Sequence, residues 1–233
     1  ETINKTKEEI KDASRSLEIR EEGSIFSVLA RRPILIYFAL IMFGYNFAYS
    51  QWSFMMPMHS AQNFGSEVSG QYFGMMAGFN GLVVILFTPI MTKLTHKTKN
   101  IRCMLYGGIL YAVGFGMLGI INTLAAFFMS VFIFTIGEIV LAINNAPFIA
   151  NHTPASHRGR MSSVLPLVMG MGHILGPMIM GNTILFTGIE KGWLIVGAVV
   201  GICSIFMIGL EKYDDRETAK LHDCLVSDEA EMI

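Results

Sequence analysis

Residues 136–181 read IGEIVLAINNAPFIANHTPASHRGRMSSVLPLVMGMGHILGPMIMG. Two apolar runs flank a short loop that carries His157, Arg158 and Arg160. So long an apolar stretch is rare in a water-soluble core, whereas a bilayer requires it: about 20 apolar residues span the hydrocarbon. The first run holds one carboxylate, Glu138, and the second holds Gly172, Gly176, Pro177 and Gly181. An ionisable side chain inside such a run is costly, and by default it marks a functional site.

The rest of the composition fits a membrane. Of 233 residues, 52% are hydrophobic and 15% charged, against about 25% charged in an average soluble domain. The net charge of −1 conceals a segregation, because charges crowd into residues 1–32, 93–102, 157–160 and 211–231. That is the charge map of a polytopic membrane protein, and it leaves no basic face for nucleic acid. Cys103, Cys203 and Cys224 are scattered and give neither a disulfide framework nor a metal spacing. No HExxH, GxSxG, Walker loop, CxxC pair or paired intramembrane aspartates occur, so neither an enzyme nor a cofactor or metal is expected. The first residue is Glu rather than Met and no signal peptide is visible, so the chain is expected to begin partway through a longer one, or to be processed or trimmed.

Six apolar segments cover residues 33–56, 70–91, 101–121, 124–149, 161–186 and 193–210. Backbone groups in lipid must pair within their own segment, and the segments lack the alternation of barrel strands. The fold expected is an all-α membrane protein with six transmembrane helices in one bundle. Three regions follow: a linker at 1–32, the bundle at 33–210 and an acidic, mobile tail at 211–233. Within the linker, Ile25, Phe26, Val28 and Leu29 beside Arg31 and Arg32 suggest a short interfacial helix. All Lys and Arg except Lys191 fall on one side of the six segments. The positive-inside rule puts that side, with both termini, in the cytoplasm of a multi-pass plasma-membrane protein. The sequons at Asn4 and Asn151 then lie on the cytoplasmic side and are dismissed.

Candidate functional residues are the polar ones at depth. Tyr45, Tyr49 and Trp52 recur at i, i+4 and i+7 with Asn46 beside them. They form either a cavity wall or interhelical packing with an aromatic belt. Asn80 can bond across helices or line a cavity. Glu138 and Asn145, seven apart, share a helix face. A carboxylate in low dielectric can bind and release protons near neutral pH, so Glu138 is a proton-coupling candidate, the other reading being a neutral structural lock. His173, the histidine well inside a span, is either a packing residue or a second proton carrier. Gly172 and Gly176 permit close helix approach and Pro177 invites a bend.

These residues carry a resemblance. Arg31-Arg32-Pro33 opens the first segment after a charged linker, and Tyr49-Ser50-Gln51 is followed by Pro57. Gly137-Glu138 is followed by Pro147, Pro154 and Arg158-Gly159-Arg160, and then by Gly172-x3-Gly176-Pro177-x3-Gly181. Over residues 24–210 the chain resembles the C-terminal six-helix half of a major facilitator superfamily transporter. It is most similar to the bacterial multidrug or sugar-efflux branch of proton antiporters. Thr92, His96 and Lys99 depart from that family's basic loop motif, where Gly, Asp and Gly are expected.

The resemblance implies two inverted three-helix repeats, helices 1–3 and 4–6, and alternating access about a midplane site. It implies a cavity wall of Tyr45, Asn46, Tyr49, Trp52, Asn80 and Asn145, with Glu138 and His173 in proton coupling. Arg158, Arg160, Gly172, Gly176 and Pro177 would serve gating and packing. The partners implied are a small-molecule substrate, the bilayer, and a missing N-terminal six-helix half or a second copy. The function expected is half of a proton-coupled efflux transporter for drug-like or sugar-like solutes. A non-transporting scaffold or truncated remnant is the alternative, and it would leave the polar residues pointing apart.

Overall fold

The computed structural model describes residues 32–154 and 156–231, without the side chains of 220–231. The expected linker and interfacial helix lie outside the described residues, except for Arg32. Among the described residues the chain forms helices only: α1 Pro33–Phe64, α2 Ser66–Thr95, α3 Asn100–Met117, α4 Leu124–His152, α5 Arg158–Thr187 and α6 Ile189–Glu231. Pro57, Pro89, Pro147, Pro166 and Pro177 all lie inside helices, which a bundle in lipid tolerates because neighbouring helices re-satisfy the freed groups. Two junctions turn on glycine in the left-handed region, Gly65 at φ 97° between α1 and α2 and Gly188 at φ 84° between α5 and α6.

Five of these helices are long and apolar enough to cross a membrane. α3 departs from the expected sixth span. It has 18 residues, and the apolar residues after it leave the α-helix through i→i+3 turns. Leu118 N donates to Phe115 O (3.2 Å), Gly119 N to Gly116 O (3.1 Å) and Ile120 N to Met117 O (3.0 Å). α6 departs in the other direction. The expected mobile tail continues the helix beyond Leu210, with Glu211 and Asp214 buried.

The packing repeats itself. α1 lies against α5 as α4 lies against α2, α1 against α6 as α4 against α3, and α3 packs on α6. Exchanging α1 with α4, α2 with α5 and α3 with α6 maps each of these pairs onto another, as expected of two three-helix repeats. The repeats are inverted, since three successive antiparallel steps separate α1 from α4. An aromatic column fills the centre: Phe115 stacks on Phe134 (4.7 Å, 15°) and on Trp193 (5.9 Å, 5°). The outside is apolar, with Ile85, Leu167, Ile174, Leu185 and Phe186 all exposed. Surface of that kind marks lipid or protein contact. α2 is the most peripheral helix, burying only Met76 and Val83.

At the end of the bundle where the Lys and Arg lie, α6 is tied down. Lys99 Nζ donates to Asp215 Oδ1 (2.5 Å) and Arg102 Nε to Glu211 Oε1 (2.6 Å). His152 Nε2 lies 2.7 Å from Asp214 Oδ1, and Arg32 Nη1 donates to His152 O at 3.1 Å. At the opposite end Gln62 Nε2 donates to Glu190 Oε1, joining the end of α1 to the start of α6.

Candidate functional site

Glu138 stands in the middle of α4 and three helices meet at its carboxylate. Tyr49 Oη of α1 donates to Oε1 at 2.8 Å, and Asn80 Nδ2 of α2 donates to Oε2 at 3.1 Å. The same Asn80 Nδ2 donates to Thr135 Oγ1 at 2.8 Å, and Thr135 in turn donates to Val131 O at 2.6 Å. A carboxylate taken out of bulk water needs such donors, and bonds to a charged acceptor are the stronger kind.

A cavity of about 250 Å³ opens beside this carboxylate. Tyr45, Asn46, Tyr49, Glu138, Asn145 and His173 line it, together with Met42, Tyr111, Leu141 and Ala142. The i, i+4, i+7 relation of Glu138, Ala142 and Asn145 thus becomes one wall. Tyr49 is held by its ring as well as its hydroxyl. Tyr111 lies nearly parallel to it (6.3 Å, 9°), and the His173 ring is tilted against it (5.6 Å, 53°). Tyr45 is almost fully buried and its hydroxyl lies 3.2 Å from Ser204 Oγ of α6. Asn46 Nδ2 donates to Met42 O of its own helix at 2.8 Å. Asn145 Oδ1 is buried and has no hydrogen-bond partner among the described residues. His173 lies on the exposed side of the cavity.

The remaining candidates sit elsewhere. Trp52 is 8% exposed and is enclosed by Phe73 (5.2 Å) and Phe134 (5.1 Å) rather than lining the cavity. Its indole fills the layer beyond Tyr49, where the aromatic column closes the cavity floor. Asn80 lies behind the cavity wall and reaches the site through its bond to Glu138. Gly172 and Gly176 seat α5 directly on α1. A Cβ at Gly172 would run into Phe43 O and come within 2.8 Å of Phe47 N, and one at Gly176 would run into Ser50 Oγ and come within 2.7 Å of Gln51 Nε2. Pro177 follows at once inside α5. Arg158 and Arg160 are remote from the cavity: Arg158 Nη2 donates to Ala150 O at 3.1 Å, bracing the α4–α5 connection, and Arg160 is exposed.

Sequence reading misses Tyr111 and Thr135. Tyr111 is one aromatic residue in a Gly-rich helix, and nothing in its neighbourhood marks it. Thr135 could be found, since it lies three residues before Glu138 and therefore on nearly the same face. The paired ends of α3, α4 and α6 are missed too, although Glu211, Asp214 and Asp215 follow the i, i+3, i+4 spacing of a single helix face.

The chain was compared with known proteins. A protein of Planococcus maritimus described as a Na(+), Li(+), K(+)/H(+) antiporter is 24% identical over 152 residues. The alignment takes in 64% of this chain and 35% of that relative, so the chain spans about a third of the relative it matches. A family profile described as Major Facilitator Superfamily matches residues 38–223. That match runs through all six helices and thus through the repeated packing they form, so the chain belongs to the Major Facilitator Superfamily.

Proposed function

We propose that this bundle is one half of a proton-coupled antiporter and that Glu138 is its proton-binding group. Membership of the family makes the chain part of a membrane transporter; the coupling, the solute and the topology are our reading. The observation that carries it is the Glu138 carboxylate on the cavity wall, held at once by Tyr49 and Asn80. Ionised, it accepts both bonds and ties α1 and α2 to α4. Protonated, it loses the charge that strengthens them. The three helices are then free to change register, which biases the exchange between inward-open and outward-open forms. The convergence of Asn46, Glu138, Asn145 and His173 on one cavity favours transport over a scaffold.

The exposed side of this cavity calls for a second bundle, either an N-terminal half or another copy, to enclose the solute. Both termini lie in the cytoplasm of the plasma membrane in this reading. The resemblance suggests drug-like or sugar-like solutes in efflux. A second reading, a monovalent metal cation, is favoured by the name of the Planococcus maritimus relative and by oxygen donors at the site. Glu138 supplies a carboxylate and Asn145 Oδ1 a free acceptor, and hard cations prefer oxygen.

The test is Glu138→Gln in the full native protein, reconstituted in vesicles with an imposed pH gradient. The variant is expected to lose gradient-driven uptake while keeping its fold. Uptake that still follows the gradient would remove Glu138 from the coupling. Running the assay with Na⁺ or K⁺ and with a neutral sugar separates the two solute classes.

A further inference from the structure

A second cavity, of about 540 Å³, opens between α1 and α6. Leu40, Ile41, Phe206 and Leu210 wall it, and Tyr37 and Tyr213 stand at one end. Its volume falls in the range of about 300–1,000 Å³ typical of small-molecule sites. Cys203 forms the floor, its Sγ resting where a Cβ on Gly44 would be. At about 100° per residue, Tyr37, Leu40 and Ile41 fall on the side of α1 opposite Met42, Asn46 and Tyr49. This groove therefore faces away from the polar cavity, and a bundle that completes that cavity does not cover it. Tyr37 is 54% and Phe206 63% exposed, so in a membrane this surface meets hydrocarbon.

The mouth of the groove is basic. Glu211, Asp214 and Asp215 turn inward to Arg102, His152 and Lys99. Glu217 accepts from Tyr213 Oη at 2.9 Å. Lys212 and Arg216, beside Tyr213, are exposed and form no ion pair among the described residues. Interfacial tyrosines and unpaired cations at the end of an apolar groove match an amphiphile with a negative head. We propose that the groove binds one anionic glycerophospholipid. An acyl chain lies along Leu40, Ile41, Phe206 and Leu210, and the phosphate lies at the Tyr37 and Tyr213 hydroxyls with Lys212 and Arg216.

The experiment is native mass spectrometry of the full native protein from micelles holding equal phosphatidylglycerol and phosphatidylcholine of identical acyl chains. Wild-type protein is expected to retain one phosphatidylglycerol per chain. Its preference over phosphatidylcholine should be about fivefold for each engaged cation. Gly209 lines the groove, and an added Cβ there meets nothing within 4 Å. Gly209→Trp therefore fills the groove, and the adduct should disappear. The double variant Lys212→Gln/Arg216→Gln, outside the packed bundle, should still bind lipid but without preference. Equal retention of the two lipids by wild type, or an unchanged adduct in Gly209→Trp, overturns the proposal. So does unchanged selectivity in the charge variant, which decides alone if Gly209→Trp does not fold. A disulfide between Gly209→Cys and Phe26→Cys in a cysteine-free background would mean that the chain fills its own groove, and it too overturns the proposal.

Discussion

Tyr49 is fixed at both ends of its side chain, by the rings of Tyr111 and His173 and by the carboxylate of Glu138. Tyr49→Phe removes the hydroxyl and keeps the ring, so the helices should stay in place. A hydrogen bond to a charged group is worth about 1.5–3 kcal/mol, which corresponds to roughly 10- to 100-fold in an equilibrium. Gradient-driven transport should fall within that range, with little change in melting temperature. The same substitution made on top of Glu138→Gln should cost much less, because the charged acceptor has gone; equal losses in the two backgrounds would show that the pair is not coupled. Each partner is visible in the sequence as a polar residue at depth. Their pairing is not, because 89 residues separate Tyr49 from Glu138 and periodicity relates only residues of one helix. Trp52 shows the same limit. Its spacing puts it on the face of Tyr49, but depth along the helix, which spacing cannot measure, encloses it between Phe73 and Phe134.

At the scale of the helix, apolar length was enough to find all six elements, and glycine spacing was enough to find the tightest contact. Gly172→Leu forces a side chain into the backbone of α1 at Phe43 and Phe47. Overpacking of this kind costs about 1–3 kcal/mol or more. The variant is expected to melt several degrees lower in detergent and to aggregate on size exclusion; wild-type behaviour would mean that α5 can stand off from α1 at no cost. The ends of helices were less legible. α3 stops early because its last apolar residues turn into i→i+3 bonds, and their composition does not differ from that of the helix before them. α6 runs on because its acidic residues find partners on α3 and α4, a tertiary reward that a charge count along one segment does not reveal.

For the whole molecule, the acidic face of α6 binds elements from both three-helix repeats at one end. Asp214 and His152 are 12% and 10% exposed in their side chains, whereas Asp215 and Lys99 are 45% and 58% exposed. Asp214→Ala strips a buried imidazole of its partner, a loss of about 1–3 kcal/mol. Lys99→Ala removes a solvated pair worth less than about 1 kcal/mol. Thermal unfolding should therefore fall clearly for the first and stay nearly constant for the second; equal shifts would place the strength of this clasp elsewhere. The shortness of α3 has its own consequence. Eighteen residues rise only about 27 Å, against a hydrocarbon layer of about 30 Å, and Tyr106, Ile109 and Val113 leave one side of this helix exposed. A longer helix absorbs a thin or thick bilayer by tilting, but α3 has no length to spare. The lipid beside it must thin instead, at a fraction of a kcal/mol per Å of mismatch. The protein therefore carries a built-in preference for thinner membranes, concentrated on its α3 flank.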